Sequence, residues 1–210
     1  IIGVAVPAIN VINIVNAILV VANIVSKLAE AIGIKEKDKD EPDELAMKAE
    51  KSDKKPEDFD SVEEYIKYLQ EEIELTDEEK EKLEKMDDEK RSAYRATGTY
   101  LYTKCINEKL GLDNTGIKNP ELIGITADIL VDFAKLNDKI SPADFIVYTR
   151  HLHSTGLSMN DFSNYLHKSS TNIMLDKKVQ NAIVDAMREI DPLISEIDID
   201  KKLFELNLED

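Results

Sequence analysis

Several residue types are scarce in this chain, and each shortage excludes a class of structure. The 210 residues include no tryptophan, seven glycines and six prolines. Cys105 is the only cysteine, so no intrachain disulfide can form, and its amphipathic surroundings predict a small core residue. With few helix breakers and many alanine, leucine, glutamate and lysine residues, the composition predicts an all-α fold rather than one rich in strands.

The short motifs of common catalytic chemistry are also missing. The chain contains neither the GxSxG of serine hydrolases nor the GxxxxGK[ST] and GxGxxG loops that cradle phosphates. No histidine supports Cys105 in a recognisable nucleophile pattern. We therefore predict that the protein is not an enzyme and uses no cofactor.

Two patterns resemble metal sites superficially. His151, His153 and His167 are the only histidines, but residues two apart on a helix point about 200° away from each other. The acidic run at residues 38–49 lacks the turn glycine and the final glutamate of a calcium-binding loop. We expect no metal site from either pattern.

The first 26 residues carry no charged side chain, and a bilayer core requires about 20 mainly apolar residues. Four asparagines interrupt this run within one helix arc of about 160°, namely Asn10, Asn13, Asn16 and Asn23. A buried amide must find a partner, and another copy of the same helix offers one. Residues 1–34 are therefore predicted to form a hydrophobic helix, from about Pro7 to Gly33, that oligomerises through these asparagines or contacts a membrane.

The start of the chain is unusual. Residue 1 is Ile1 rather than methionine. A secretory signal requires basic residues before its apolar run, and this chain has none there. We expect Ile1 to be an internal position of a longer polypeptide.

Acidic residues are concentrated after the first helix. The net charge is -16, and residues 35–91 contain 13 lysines or arginines against 24 aspartates or glutamates. Such a segment repels nucleic-acid phosphates, so we predict no nucleic-acid partner. Residues 35–60, with few apolar anchors, are predicted to be an acidic linker that is exposed or mobile, with a short helix at DELAMKAE.

The rest of the chain divides into two predicted helical parts. Ser61 with Glu64, and Thr76 with Glu79, form capping-box patterns at the start of an acidic helical segment, residues 61–118. Residues 119–210 are predicted to be a compact helical domain. Its helices are expected to start near Asn119 and Pro120, near Ser141, near Ser158 and near Asp176, and its apolar tail is expected to dock.

Within that domain, residues 156–173 resemble the helix-turn-helix of small DNA-binding domains, with Phe162 and Leu166 as core positions and Ile173 in the second helix. The turn has His167 and Lys168, where such families favour glycine followed by an aliphatic residue. Residues 141–190 balance five basic against five acidic residues, so no basic face supports groove binding. We expect a helical hairpin in a core, and a DNA-binding regulator is the second alternative.

The stretch DELAMKAEKSDKKPEDFDSVEEYIKYLQEEIEL follows a hydrophobic helix and precedes a helical domain. Over residues 43–110 the chain resembles uncharacterised structural proteins of phages and phage-tail-like particles of Gram-positive bacteria. The resemblance implies the C-terminal part of a tape-measure-type protein, packed in a virion or tail-like particle as a helical, coiled-coil oligomer. Its partners would be copies of itself, through residues 1–34, and other structural proteins. No functional residue carries over from the resemblance.

The first alternative is a membrane-anchored cytosolic protein. Residues 1–26 would then span the cytoplasmic membrane, and the acidic remainder would bind protein partners. Lysines should mark the inner side of such a span, and those that follow it are interspersed with acidic residues.

Overall fold

The computed structural model describes residues 8–37, 39–112, 125, 127–136 and 138–208, with side chains from residue 15 onward apart from 127 and 128. All regular secondary structure in these ranges is helical, which confirms the all-α prediction. The helices are α1 (Ala8–Ala31), α2 (Pro42–Lys51), α3 (Val62–Glu72), α4 (Asp77–Glu84), α5 (Asp88–Lys109), α6 (Ala127–Lys135), α7 (Pro142–Ser154), α8 (Met159–Leu166), α9 (Ile173–Ile190) and α10 (Glu196–Glu205), with a 3-10 turn at Pro56–Asp58.

The chain forms two compact units, Ile1–Cys105 and Ile106–Asp210, and the boundary falls within α5. The division into segments 1–34, 35–60, 61–118 and 119–210 stays a prediction. The helix expected to start near Asn119 and Pro120 begins outside the described residues.

Side-chain caps explain where several helices begin. The Ser61 hydroxyl accepts a hydrogen bond from the Glu64 backbone N–H at 3.1 Å. Thr76 and Glu79 form the reciprocal pair, since each side chain accepts from the backbone N–H of the other. Each cap satisfies an N–H that the first helical turn leaves without a partner, which is why the sequence patterns locate these starts correctly. The hydroxyls of Ser141 and Ser158 cap the N-termini of α7 and α8 in the same way.

Helix α2 lies inside the segment that the sequence predicted to be a linker with few apolar anchors. Leu45 is fully buried, Ala46 is 3% exposed and Met47 is 6% exposed. Met47 belongs to a hydrophobic cluster with Leu75 and Leu83. The expectation of an exposed linker is therefore wrong for residues 42–51, because the apolar run at residues 45–47 is buried when this segment forms a helix.

In the second unit, α9 packs against α7 and α8, and its residues Val179 and Ile183 are fully buried. The rings of Phe133 on α6 and Phe145 on α7 stack with their centroids 4.2 Å apart. Helix α9 begins at Ile173, three residues before the expected start, because the Asn172 side chain caps it. The apolar tail docks as expected, through Ile199 and Leu203 of α10.

Candidate functional site: the outward face of helix α1

The C-terminal half of α1 is anchored in the first unit. Val25, Leu28 and Ala29 are fully buried, and Ala22 and Ile24 are almost so. These positions repeat at helical spacing, so one side of α1 forms part of a core. The opposite side of α1 faces away from this core.

The outward side carries the asparagines that the sequence singled out, as far as they are described. Asn16 and Asn23 are both exposed, and because they are seven residues apart they lie two turns apart on the same face. Leu19 and Val20, at 37% and 44% exposure, lie between them. The side chains of Asn10 and Asn13 fall outside the described residues. We call the surface formed by Asn16, Leu19, Val20 and Asn23 the α1 outward face.

Chemically, the α1 outward face combines apolar surface with amides that both donate and accept hydrogen bonds. An amide facing its own counterpart in a parallel bundle satisfies both groups without any charge. The assignment of Asn10, Asn13, Asn16 and Asn23 to oligomer contacts stays a prediction.

A buried lysine fixes the end of α1. Gly33, at φ +73°, terminates the helix, and the chain then passes to Lys35, whose side chain is completely buried. Its Nζ lies 2.9 Å from Glu30 and 3.0 Å from Glu41. Burial alone lowers the pKa of Lys35, but the two carboxylates outweigh it and raise the pKa above its ordinary value. The ammonium therefore stays charged and holds α1 to the start of α2.

Two further side chains hold the loop between α1 and α2. The hydroxyl of Tyr102 donates to the Asp40 carbonyl at 2.7 Å, and the Gln70 amide donates to the Ile34 carbonyl at 3.2 Å. Burial raises the pKa of Tyr102 far above its usual range. Sequence reasoning missed this network, because its donors lie more than 30 residues away along the chain.

A cleft of about 550 Å³ opens beside this loop in the first unit. Its polar lining includes three lysines and three carboxylates, among them the pair Lys48 and Asp40. With no excess of either sign, the cleft selects neither an anion nor a cation. Its charged lining residues are Lys39, Asp40, Glu44, Lys48, Glu74 and Lys80.

The second unit contains a serine, an aspartate and a histidine in contact. Asp132 on α6 is 5% exposed and accepts a hydrogen bond from the Ser163 hydroxyl at 2.6 Å. The Nε2 of His167 lies 2.8 Å from the other oxygen of Asp132. In a hydrolase triad the histidine stands between serine and carboxylate and takes the serine proton. Here the carboxylate stands between them, so the cluster joins α6 to α8 and does not activate the serine.

The other two histidines have different surroundings. His151 contacts Glu189 at 2.7 Å, whereas the Nε2 of His153 is buried without a hydrogen bond among the described residues. The hydrogen bond from His151 and the charge of Arg150 lower the pKa of Glu189. Within the described part of the chain, no group of three histidine, cysteine or acidic side chains is arranged to hold a metal ion.

The geometry of residues 156–173 differs from that of the helix-turn-helix that they resemble in sequence. Six residues separate the end of α8 at Leu166 from the start of α9 at Ile173. Ile173, expected in the second helix of such a motif, is 74% exposed. Lys168 adopts φ +50°, a left-handed conformation that a tight turn normally assigns to glycine. The two helices form a hairpin whose buried positions include Phe162 and Leu166.

No helix in the described ranges is both long and apolar enough to cross a bilayer. No protein-family model matches the chain, and neither a curated protein nor a solved structure shows significant similarity to it. The functional assignment therefore depends on the surfaces of the chain itself, and the α1 outward face is the one that the sequence and the fold both single out.

Proposed function

We propose that the protein is a structural assembly component that associates with copies of itself through the α1 outward face. The observation that carries this proposal is the contrast along α1. Its C-terminal half is anchored in a core, whereas the preceding part of the same helix exposes Leu19 and Val20 in a stretch without any charge. A third of the chain is charged, so a charge-free surface is exceptional in this protein.

The physical argument rests on what a bundle of α1 helices gains. Pairing Leu19 and Val20 removes apolar surface from water, at roughly 25 cal/mol per Å². Interhelical amide bonds from the asparagines contribute on the order of 0.6 to 2 kcal/mol each where apolar neighbours exclude water. A parallel arrangement brings each asparagine against its own counterpart, so the amides also fix the register.

The most specific form of the proposal is a component of a phage tail or tail-like particle, with the chain as the C-terminal part of a tape-measure-type protein. It is supported by the sequence resemblance over residues 43–110 and by the all-helical fold. Such a component would contact other structural proteins and would reside in the particle. Self-association through α1 is the part of this proposal that can be measured directly.

The test is sedimentation velocity of the full chain over a concentration series. We expect the wild type to form oligomers, and we expect Leu19→Glu with Val20→Glu to reduce association at least tenfold, because two apolar side chains are replaced by like charges. Tyr100→Glu is the matched control, since Tyr100 is 64% exposed on α5 and lies outside the α1 outward face. Circular dichroism verifies that each variant keeps its helix content.

The role of the asparagines needs a separate variant. Asn16→Leu with Asn23→Leu keeps the surface uncharged and removes the amides, so we expect association to persist with a broader distribution of oligomer sizes. An unchanged size distribution would remove the role of the amides. A wild type that stays monomeric throughout the series would refute the proposed function itself.

A further inference from the structure

Three aromatic side chains gather where the connection between α2 and α3 meets α3. The ring centroid of Phe59 lies 5.4 Å from that of Tyr65 and 5.2 Å from that of Tyr68. Tyr65 is 3% exposed and forms the base of the cluster, whereas Phe59 and Tyr68 are partly exposed. The rings of Phe59 and Tyr68 are tilted by 41° to each other, so they form two walls of an open notch. We call these two rings the aromatic notch.

The aromatic notch holds a cation of the chain itself. The ammonium of Lys54 lies over both rings, 4.6 Å from the centroid of Tyr68 and 5.7 Å from that of Phe59. Within about 6 Å the negative face of an aromatic ring attracts a positive charge. Among the described residues, the Nζ of Lys54 forms neither a hydrogen bond nor an ion pair. The two rings are therefore the groups that this ammonium contacts.

Local hydrogen bonds position both the walls and the occupant. The hydroxyl of Ser52 accepts from the Lys54 N–H at 3.1 Å and donates to the Lys54 carbonyl at 2.9 Å. After the 3-10 turn, the Phe59 N–H donates to the Pro56 carbonyl at 3.3 Å. A site that is formed before binding loses little conformational freedom when a ligand enters it.

Carboxylates border the cluster. The hydroxyl of Tyr68 donates to the carboxylate of Asp53 at 3.4 Å. Burial, with smaller contributions from Glu57 and Tyr68, raises the pKa of Tyr65, so the negative charge of Glu57 acts on the rings. Negative charge around an aromatic surface attracts cations to it and repels anions.

We propose that the aromatic notch binds a trimethylammonium group, as found in choline and in trimethylated lysine, and that Lys54 occupies the notch while no ligand is bound. A primary ammonium is strongly hydrated, so it loses hydrogen bonds to water when it covers a ring. A trimethylammonium group has no N–H to satisfy, and its methyl groups pack on the ring faces while its charge remains. Aromatic sites recognise quaternary ammonium ligands for this reason.

Lys54 acts as an internal competitor. The apparent affinity for a ligand equals the intrinsic affinity reduced by the fraction of chains in which the notch is open. Removal of the Lys54 ammonium should therefore strengthen binding. The notch lies outside the α1 outward face, so this proposal does not depend on the proposed function.

The experiment is an NMR titration of the full chain with choline, followed through the ring protons of Phe59 and Tyr68. The reference ligand is the uncharged analogue dimethylbutanol, in which carbon replaces the nitrogen of choline. We expect the analogue to bind at least tenfold more weakly, because only the cation is attracted by the ring faces. A parallel titration with an acetylated trimethyllysine amide distinguishes the two sources of the group, since the tighter ligand identifies the source.

Lys54→Gln empties the notch, so we expect it to bind choline at least fivefold more tightly than the wild type does. Lys55→Gln is the matched control, because it removes the same charge from the adjacent exposed position, and it should change the affinity less than twofold. Tyr68→Leu in the Lys54→Gln background should lose binding, with circular dichroism verifying the helix content. The proposal is overturned if choline does not bind Lys54→Gln, if the uncharged analogue binds as tightly as choline, or if Lys54→Gln and Lys55→Gln bind equally.

Discussion

A Cβ atom placed on Gly98 would lie 1.7 Å from the carbonyl oxygen of Pro42. Helix α5 therefore meets the first turn of α2 backbone to backbone, at a distance that no side chain allows. A glycine inside a helix indicates close packing, but the sequence does not identify Pro42 as the partner, because the two residues are 56 positions apart and only the fold brings them together.

The first prediction concerns this contact. Gly98→Ala should lower the free energy of unfolding by about 1 to 3 kcal/mol, because α2 must move away from α5. In an open helix the same substitution would raise stability by up to about 1 kcal/mol, so the sign of the change is diagnostic. Urea denaturation followed by circular dichroism measures it. Thr97→Ala, at the exposed neighbouring position, should change stability by less than about 0.5 kcal/mol.

The second prediction concerns the carboxylate that joins the same two helices. Asp43 is 3% exposed, and one of its oxygens lies 2.7 Å from Arg91 and 3.5 Å from Arg95. Asp43→Asn should destabilise the chain by about 1.5 to 3 kcal/mol, the usual contribution of a hydrogen bond to a charged group. Glu36→Gln, at an exposed ion pair with Lys39, should have an effect near zero. An equal loss of unfolding free energy in the two variants would show that burial of Asp43 does not strengthen its ion pairs.

The third prediction is a dependence on alkaline pH. Burial, with a smaller contribution from Asp144, raises the pKa of Tyr148 to about 12. An unfolded tyrosine ionises near pH 10, so between about pH 10 and 12 the unfolded state binds fewer protons than the folded state. The contribution of Tyr148 is therefore present below pH 10 and is lost as the pH rises through 12, at about 1.4 kcal/mol per pH unit.

Urea denaturation at several pH values between 9 and 12 tests this directly. Tyr148→Phe should flatten the fall in stability across that window. Tyr100→Phe, at a 64% exposed position, is the control for the removal of one tyrosine hydroxyl. Parallel slopes in the wild type and Tyr148→Phe would mean that the phenol ionises equally in both states.

The sequence predicted local features well, because their causes are local. The cap at Thr76 and the end of α1 near Gly33 depend on residues three or four positions apart, and the structure confirms both. The burial of α2 was missed because its apolar run is only three residues long and lies among charges. In the sequence, Lys35 is one of many charged residues of the predicted linker. In the structure its side chain is completely buried and forms ion pairs with Glu30 and Glu41.

The same distinction applies to the candidate sites. Helical spacing alone predicted that the asparagines of α1 share one side, and Asn16 and Asn23 do share the outward side. The exposure of Ile197 and Phe204 was not predicted, because both resemble core residues until the fold shows that Ile199 and Leu203 occupy the buried side of α10. The contact of His167 with Asp132 joins residues 35 positions apart, and no sequence motif marks it.

The last prediction is that the chain does not bind duplex DNA, although residues 156–173 resemble a helix-turn-helix. Binding depends on lysine and arginine contacts to phosphates. Of the five basic residues in positions 141–190, Arg150 is paired with Glu189 and Arg188 with Glu196. In a helix-turn-helix a turn of three or four residues also joins the two helices, whereas six residues separate α8 from α9.

Fluorescence anisotropy of the full chain with a labelled duplex at about 50 mM salt is the sensitive measurement, because low salt strengthens every phosphate contact. We expect no saturable binding at protein concentrations up to about 100 µM, the weak limit of ordinary nonspecific affinity. Lys168→Glu reverses a charge in the connection between α8 and α9 and should make no difference. Saturable binding that disappears in Lys168→Glu would instead show that this connection contacts phosphate, and the hairpin would then have to be regarded as a DNA-binding element within an acidic chain.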